Sequence, residues 1–551
     1  MSDNLAGGSL AHRVEQGTFN PQAPGSSPGR PTKICNTGTD PCYRFFLWAF
    51  IWQHGDMETN PSGDQLFLAL ADLAREVLAN PRHNDDPVVN WASPEDLVTS
   101  FSTTVGLDFA DHAPAHPVDQ VLAAAQQVVE WSVHTSHPLF FNQNFAGPDP
   151  VAVAGDWLAA ALNTTNATFE AAPVFTLMEA ALLNKLAELA GFSTESDIPP
   201  GLFCPGGSLA TLYALQLARY RQQPTLTTAG ASAEPLAIFV SEAGHYTAVK
   251  SASLLGLGSE AVIKVATDAE GAMLPQALTK AIAATDRTPL AVIATAGTTV
   301  TAAFDPLEAI ADLCAQHNIW LHVDGCYGGS ALFSPQQRHR LAGVERADSL
   351  VWNLHKMMGM TQQCTVLLVQ NPEQLDACFS TNADYLFQPD KLFSEYDSGD
   401  RTFQCARRVD ALKLWLAWKA HGDEGFSARI DRAVAMADHA RSVIEDSEGA
   451  LVAVIDTGFT NVVFAWVPPE LRPLNLSQLT AENRQRLHQL APLIKARMQQ
   501  AGDALLGYQP VNGLNTFRLL IMNPAVTPAD VDAALGRLAH HGQQAWEQTN
   551  A

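Results

Sequence analysis

Apolar residues in the middle of the chain follow two alternating patterns. One helical face collects seven apolar residues between 174 and 189, and Gly191 stands where that helix would end. Short apolar runs bounded by turn residues then predict strands: LAIFVS near 236, PLAVIATAG near 289, IWLHVDG near 319, SLVWNLH near 349 and CTVLLVQ near 364. These runs lack polar alternation, and amphipathic helical segments separate several of them. The pattern predicts an α/β fold built from βαβ units, with a mostly parallel sheet covered by helices.

The two ends of the chain differ from this middle. Residues 1–35 are rich in Gly, Ser and Pro, which predicts a flexible tail. Residues 36–115 contain the apolar run YRFFLWAFIW and then a helical pattern. We interpret them as an N-terminal helical segment at a buried or dimer interface, with a membrane-facing patch as the less favoured alternative. A large domain over 116–405 precedes residues 406–551, whose long helical stretch and strand-like runs predict a smaller α+β domain.

Composition narrows the class of protein. The chain has 551 residues and a formal net charge of −24, with 47 % apolar and 16 % charged residues, which excludes a mainly disordered chain. An acidic balance disfavours nucleic acid and anionic membranes as partners. No apolar stretch reaches the ~18 residues that span a bilayer. Eight dispersed cysteines without C-x-x-C or paired Cys/His spacing indicate reduced thiols and no metal site, so we expect a cytoplasmic protein.

Chemically useful residues follow several predicted strands, and open α/β sheets bind ligands beyond the carboxyl ends of their strands. Lys356 follows SLVWNLH between His355 and the apolar MMG, where a partly desolvated amine can form a Schiff base; an isolated lysine would instead be a solvated strand end. Asp324 ends IWLHVDG, where it fits either the pyridine nitrogen of pyridoxal phosphate or a structural ion pair. His245, after LAIFVS, fits stacking on a flat ring or ordinary packing.

A glycine turn precedes these strands. Gly206, Gly207 and Ser208 begin an apolar-periodic helix in CPGGSLATLYALQLAR. Glycines allow close backbone approach, and the free N–H groups of a helix N-terminus attract phosphate. On its own the turn is a weak indication, but its position ahead of the strands that end at Asp324 and Lys356 favours a phosphate-bearing cofactor.

The ordered motifs resemble a known family. They include CPGGS, SEAGHYTAVKSA, TAGTTVTAAFDPL, HVDGCYGG, RADSLVWNLHKMMG and NTFRLLIMNPAVT. From about residue 40 onward the chain is similar to the decarboxylases of acidic amino acids that depend on pyridoxal 5'-phosphate (PLP), namely animal-type glutamate decarboxylase and cysteine sulfinate decarboxylase. The resemblance implies the fold-type I PLP-dependent transferase fold with a seven-stranded sheet, PLP as cofactor, an acidic amino acid as substrate, and a homodimer with shared active sites.

The resemblance also implies roles for individual residues. Lys356 would carry the cofactor, Asp324 would pair with its pyridine nitrogen, and His245 would stack on its ring. The rest of the predicted cofactor site is Gly207, Ser208, Thr298, Cys326 and His355. The predicted substrate contacts are Gln143, Phe145, Thr165, Ala167 and the carboxylate-binding Arg518. Tyr396 would be the loop tyrosine that supports protonation after CO2 is lost.

Departures from the family leave the substrate open. Phe145 stands where glutamate decarboxylases tend to have serine, and its ring would shorten the cavity in favour of aspartate, cysteine sulfinate or cysteate. Ala167 replaces an aromatic ring and Thr165 a serine or asparagine, which opens space for glutamate or another longer substrate. Cys326 replaces the usual alanine beside the ring, and the loop over 385–400 is one residue shorter.

Other activities stay open as alternatives. Some bacterial relatives with similar motifs act on 2,4-diaminobutyrate. Oxygen-consuming aldehyde synthases use the same scaffold, but Tyr396 disfavours that reaction. The intact set of Lys356, Asp324 and His245 disfavours an inactive homologue kept for partner binding.

Overall fold

The computed structural model describes residues 61–80, 82–381, 383, 386–388 and 390–550. The predicted tail over 1–35 and the apolar run YRFFLWAFIW lie outside the described residues, and so does Tyr385. The boundaries of the predicted domains and the dimer interface stay predictions.

Helices dominate the first part of the described chain. They are α1 (Pro61–Ala79), α2 (Pro94–Phe101) and α3 (Val118–Trp131), then the short strand β1 (Phe140–Phe141), α4 (Pro150–Leu162) and α5 (Pro173–Ala190). Helix α5 confirms the predicted apolar face. Pro173 opens it, and Gly191 ends it in the left-handed region with φ 72°, donating its N–H to Ala187.

The next part of the chain alternates strands and helices. The elements are β2 (Gly201–Cys204), α6 (Gly207–Gln222), α7 (Leu226–Ala229), β3 (Leu236–Ser241), α8 (Thr247–Leu254), β4 (Val262–Val265), α9 (Pro275–Ala284), β5 (Thr288–Thr295), α10 (Leu307–His317), β6 (Trp320–Asp324), β7 (Ser349–Asn353) and β8 (Thr365–Val369). The strands form a seven-stranded sheet in the order β2-β8-β7-β6-β5-β3-β4. Strand β8 runs antiparallel to both of its neighbours, and the other adjacent pairs are parallel.

This sheet confirms the predicted α/β fold. Every residue of β6, β7 and β8 is buried, which explains why these strands read as uninterrupted apolar runs. The register sets Asp324 beside Thr295 on one side and Val351 on the other. The carboxyl ends of β5, β6 and β7 therefore lie next to one another, at the edge where such sheets bind ligands.

The last part of the chain builds a second sheet. Its elements are α11 (Glu373–Phe379), α12 (Ala411–Glu445), β9 (Leu451–Ile455), β10 (Asn461–Trp466), α13 (Ala481–Ala501), β11 (Leu505–Val511), β12 (Leu514–Leu520) and α14 (Pro528–Asn550). The strand order is β1-β11-β12-β10-β9, antiparallel except between β1 and β11.

Two features of this second sheet depart from the sequence pattern. Strand β1 falls inside 116–405, the range predicted for the large domain, but it pairs with β11 because Phe140 and Phe141 bury their rings in the core of the smaller sheet. Helix α12 serves both cores, with Phe426 in the first and Ala437 in the second, and it bends at Gly422, whose φ is 67°.

Three further observations concern only the described residues. No helix there is long and apolar enough to cross a membrane. No group of three or more His, Cys, Asp or Glu side chains in that part of the chain is arranged to hold a metal ion. The six cysteines within it, Cys204, Cys314, Cys326, Cys364, Cys378 and Cys405, are free thiols.

Candidate active site

An open cleft of about 190 Å³ lies where β5, β6 and β7 end. Threonines, glycines and a few ionisable side chains line it: Gly207, Ser208, Thr211, His245, Thr247, Thr295, Gly297, Thr299, Asp324, Cys326, Tyr327, Asn353 and Lys356. Six of the predicted cofactor residues are among them. The structure therefore brings together residues that are far apart in the sequence: Gly207, Ser208, His245, Asp324, Cys326 and Lys356.

The N-terminus of α6 forms one wall of the cleft. Gly206 precedes the helix with φ 98° and no side chain caps it, so the first backbone N–H groups have no partner within the helix. A Cβ atom at Gly207 would lie 2.4 Å from Cys326 Sγ and 3.1 Å from Asn353 Nδ2. Only glycine lets the helix start come this close to the strand ends. The exposed N–H groups and the helix dipole together suit an anion such as phosphate.

Asp324 and Lys356 follow neighbouring strands. Asp324 ends β6, is 9 % exposed, and accepts a hydrogen bond from the Cys326 N–H at 3.1 Å. Lys356 sits in a turn just after β7 that is closed by its own N–H donating to Asn353 O at 3.2 Å. The Lys356 amine makes no hydrogen bond or ion pair with the part of the chain that the structure describes. The cleft thus contains the Asp324 carboxylate, held by a backbone hydrogen bond, and the Lys356 amine, which has no partner in the described chain.

His245 is oriented by a short chain of hydroxyl groups. The Thr247 N–H donates to His245 Nδ1 at 3.3 Å, and Thr247 Oγ1 also contacts that nitrogen. Thr247 Oγ1 lies 3.1 Å from Ser208 Oγ. Since a backbone N–H can only donate, Nδ1 is an acceptor and the ring proton resides on Nε2. Burial lowers the pKa of His245, so the imidazole that faces the cleft is neutral at neutral pH.

Two predicted cofactor residues do not line the cleft. Thr298 is 1 % exposed, and its hydroxyl contacts Thr301 Oγ1 at 2.8 Å and accepts from the Ala303 N–H at 3.0 Å. Its side chain therefore stabilises the turn, and the neighbouring Thr299 lines the cleft instead. The His355 ring turns to the backbone of Cys364, at 3.0 Å from its oxygen, and burial lowers the pKa of His355 to about 4.

Arg518 lies on the second sheet beside the cleft and contacts Thr299, which lines it. It lies on β12 and is 8 % exposed; one terminal nitrogen donates to the Thr299 carbonyl and the other to Asn142 O at 3.4 Å. Its Nε is buried and has no hydrogen-bond partner among the described residues. Burial lowers the pKa of Arg518 to about 10. A buried cation with an unsatisfied donor and no carboxylate partner in the described chain is a site prepared for an anion.

The remaining predicted substrate contacts lie elsewhere. Gln143 is exposed beside Asn142. The Phe145 ring packs on the core of the second sheet, 5.8 Å from the Phe140 ring, and does not line the cleft. The expectation that this ring shortens the substrate cavity stays a prediction. Phe145 stands four residues after β1, which is paired with the smaller sheet, and its ring packs toward that core.

Thr165, Ala167 and Tyr396 belong to a separate cluster. The Ala167 carbonyl accepts from Gly399 N–H at 2.7 Å, and the Tyr396 ring contacts Phe169 at 5.4 Å between centroids. Thr165 Oγ1 accepts from the Arg407 N–H at 2.9 Å. None of the three residues lines the cleft of this chain.

A buried ion pair supports that cluster. Arg407 bonds Glu179 at 2.6 Å, with side chains 3 % and 5 % exposed, and its other terminal nitrogen donates to Ser398 Oγ at 2.6 Å. Ser398 in turn donates its N–H to Ala167 O at 3.1 Å. The segment around Tyr396 is therefore docked by polar contacts on the residues near Ala167.

Several cleft residues escaped the sequence reasoning. Asn353 is the last residue of β7, so the rule that ligands bind beyond strand ends could have found it. Thr247 stands two residues after His245 at the start of α8, a position from which a hydroxyl can reach back to the ring. Nothing in the sequence distinguishes Thr299 from Thr298, because only the turn decides which one faces the cleft.

The comparisons with known proteins agree with this geometry. The family model described as the pyridoxal-dependent decarboxylase conserved domain matches residues 104–467. The chain belongs to the pyridoxal-dependent decarboxylase family. It is 42 % identical over 475 residues to cysteine sulfinic acid decarboxylase of Rattus norvegicus, covering 85 % of this chain and 94 % of that protein. It is 41 % identical over 473 residues to the acidic amino acid decarboxylase GADL1 of Bos taurus, covering 85 % and 88 %.

Solved structures give the same result. A crystal structure of mouse CSAD superposes with a TM-score of 0.82 and 39 % identity, covering 89 % of this chain and all of that one. The chain is thus an amino acid decarboxylase of fold-type I with pyridoxal 5'-phosphate as its cofactor. The cleft fits this group, because the start of α6 can receive a phosphate, Asp324 can pair with a protonated ring nitrogen, and Lys356 offers an amine.

Proposed function

We propose that this enzyme decarboxylates an acidic L-amino acid to the amine and CO2, with cysteine sulfinate, aspartate and cysteate as favoured substrates. One observation carries the proposal: Arg518 is a buried cation bonded to Thr299 at the edge of the cleft, with an unsatisfied Nε and no carboxylate partner among the described residues. A guanidinium in this state binds a planar two-oxygen anion well. The names of two similar proteins, a cysteine sulfinic acid decarboxylase and an acidic amino acid decarboxylase, support an acidic substrate.

The residues of the large sheet would hold the cofactor. Lys356 would attach it through its amine, the start of α6 with Ser208 would hold its phosphate, and His245 would lie against its ring. Asp324 would keep the ring nitrogen protonated. When bound, the cofactor draws electrons away from the substrate Cα, which is the chemistry that the loss of CO2 requires. The neutral His245 adds no positive charge that would compete with this proton.

The substrate would lie between the two sheets. We expect Arg518 to bind a carboxylate of the substrate while the neighbouring segment with Gln143 closes the other side. Thr299 contributes a carbonyl that fixes the guanidinium, so the Arg518 side chain is oriented before a ligand arrives. Because the substrate carboxylate is held at a fixed position, the bond between Cα and the departing CO2 is also oriented.

Glutamate is a second candidate. The Phe145 ring packs on the second core and is not among the residues that line the cleft, so the structure adds no support for a smaller substrate. Ala167 is buried at 2 % exposure, with its carbonyl bonded to the docked loop. Because the Ala167 side chain is small, glutamate stays a candidate substrate beside cysteine sulfinate, aspartate and cysteate.

We further propose a homodimer in which Tyr396 serves the reaction of the partner subunit. Tyr396 packs on Phe169 and does not line the cleft of its own chain. A site shared between two subunits would account for this placement. Loss of the hydroxyl, as in Tyr396→Phe, should then slow the protonation of Cα that follows the loss of CO2, while substrate binding stays intact.

The test is CO2 release from a substrate panel. The holoenzyme is incubated with cysteine sulfinate, aspartate, cysteate, glutamate and 2,4-diaminobutyrate, with Lys356→Ala as the control that should lose both activity and the visible absorption of the bound cofactor. Arg518→Met should abolish turnover of the acidic substrates while cofactor absorption stays. Turnover of the diamino acid alone would refute the proposal.

A further inference from the structure

A second, partly buried cation lies beside Arg518. Lys495, on α13, donates from its amine to Asn142 Oδ1 at 2.6 Å and to Leu506 O at 2.7 Å. The backbone carbonyl of the same Asn142 accepts from Arg518 at 3.4 Å. One asparagine thus receives hydrogen bonds from two positively charged side chains, through its side chain and its main chain.

Nothing in the described chain neutralises this pair. Neither Lys495 nor Arg518 forms an ion pair with a carboxylate of residues 61–550 that the structure describes. Burial and the charge of Arg518 lower the pKa of Lys495 to about 8, and burial lowers that of Arg518 to about 10. Two desolvated like charges destabilise the fold unless an anion joins them. Two neighbouring positive charges without a carboxylate partner are the arrangement expected at a binding site for an anion.

The backbone around the pair leaves space. Gly507 lies opposite Arg518 in the β11–β12 register. A Cβ at Gly507 would stand 3.1 Å from Asn142 O and 3.8 Å from a terminal nitrogen of Arg518. A glycine at this place keeps a side chain from crowding the carbonyl that holds the guanidinium. The space beside Arg518 therefore depends on both strands: β12 carries the arginine, and β11 carries the glycine opposite it.

We propose that Lys495 is a positioning residue that makes the site around Arg518 selective for amino acids with an anionic side chain. This inference rests on the proposed function. Lys495 acts in two ways: it fixes Asn142, whose carbonyl holds Arg518, and it adds a second positive charge to the substrate side of the cleft. It acts through Asn142 and Arg518 and need not touch the substrate.

The two contributions can be separated by substitution. Lys495→Met removes both the charge and the hydrogen bond to Asn142. Lys495→Arg keeps the charge and offers donors to the same oxygens. Asn142→Asp is the same size as the native residue and still accepts from Lys495, but it places a negative charge between the two cations. Lys280→Met, on the exposed face of α9, removes the same charge elsewhere and is the matched control.

The readouts are kcat and KM for the best acidic substrate, together with calorimetric binding of succinate, a dianion without an amine, to the holoenzyme. We expect Lys495→Met and Asn142→Asp each to raise KM and the succinate Kd by about tenfold or more, with kcat within about threefold of the parent. Lys495→Arg should recover most of the affinity. Lys280→Met should change neither constant.

Three outcomes would overturn the inference. They are an unchanged KM in Lys495→Met, a kcat loss with unchanged KM, or an Asn142→Asp variant that binds succinate as tightly as the parent, since a purely structural lysine would tolerate that aspartate. The cofactor absorption and thermal midpoint of each variant show whether the fold is intact. Failure of the proposed function looks different, because the parent enzyme itself would then release no CO2 from any acidic amino acid.

Discussion

The close approach between α6 and the loop after β6 can be tested with a single methyl group. In Gly207→Ala, the new Cβ would lie 2.4 Å from Cys326 Sγ, where nonbonded heavy atoms normally stay about 3.5–4.0 Å apart. The overlap exceeds about 1 Å, so α6 or the Cys326 loop must shift. Overpacking of this kind costs about 1–3 kcal/mol. Since the shift moves the N–H groups proposed to hold the phosphate, we expect cofactor Kd to rise about 5- to 150-fold.

The assay is titration of the apoenzyme with pyridoxal phosphate, followed by the absorption of the bound cofactor. The double variant Gly207→Ala with Cys326→Ala removes the sulfur, and the next nearest atoms to the new methyl belong to Asn353, at 3.1 Å and 3.2 Å. Most of the lost affinity should return, and Cys326→Ala alone is the control for the cycle. If Gly207→Ala binds the cofactor as the parent does, or if the double variant stays as weak as the single one, the close approach does not govern binding.

Three further predictions concern other parts of the molecule. Glu179→Ala leaves Arg407 buried without its carboxylate, so the free energy of unfolding in urea should fall by about 3–5 kcal/mol, and a loss under about 1 kcal/mol would contradict the ion pair. Thr247→Val removes the hydroxyl between Ser208 and His245, and cofactor Kd should rise about 2- to 12-fold; Thr247→Ser should retain the affinity of the parent. Because the pKa of Lys495 is lowered to about 8, its charge is present below that pH and lost above it. KM for the acidic substrate should therefore rise between about pH 8 and pH 9. This rise should be absent over the same range in Lys495→Arg, since arginine at position 495 stays charged there.

The large sheet was readable from sequence because its strands are buried on both faces. Continuous apolar runs such as that before Asp324 leave no ambiguity about burial, and the turn residues after them mark where the ligand edge lies. The antiparallel course of β8 was not readable, since a fully buried strand has the same composition in either direction. Strand β1 was missed because two apolar residues carry no periodicity, and only pairing with β11 makes them a strand.

The cleft was predictable where position along a strand determines it. Lys356, Asp324 and His245 all follow predicted strands, and the structure places the three in one cleft. Thr298 does not line the cleft although its neighbour Thr299 does, because side-chain direction within a turn depends on its dihedral angles, which the letters TT do not encode. Lys495 was not predicted for another reason: a lysine within a helical pattern normally indicates a solvated face, and only the tertiary contact with Asn142 shows that its amine points into the molecule and is partly buried.

The two sheets divide the site between them. The groups proposed to face the cofactor follow strands of the large sheet, whereas Arg518, Asn142 and Lys495 come from β12, the segment after β1, and α13. The carbonyl of Thr299 joins the two sets through Arg518. Such a division makes the scaffold modular: mutations in the smaller sheet can exchange one substrate preference for another while the chemistry of the larger sheet is inherited unchanged. The residues around Asn142 are therefore the unit to transplant when a new specificity is engineered into this fold.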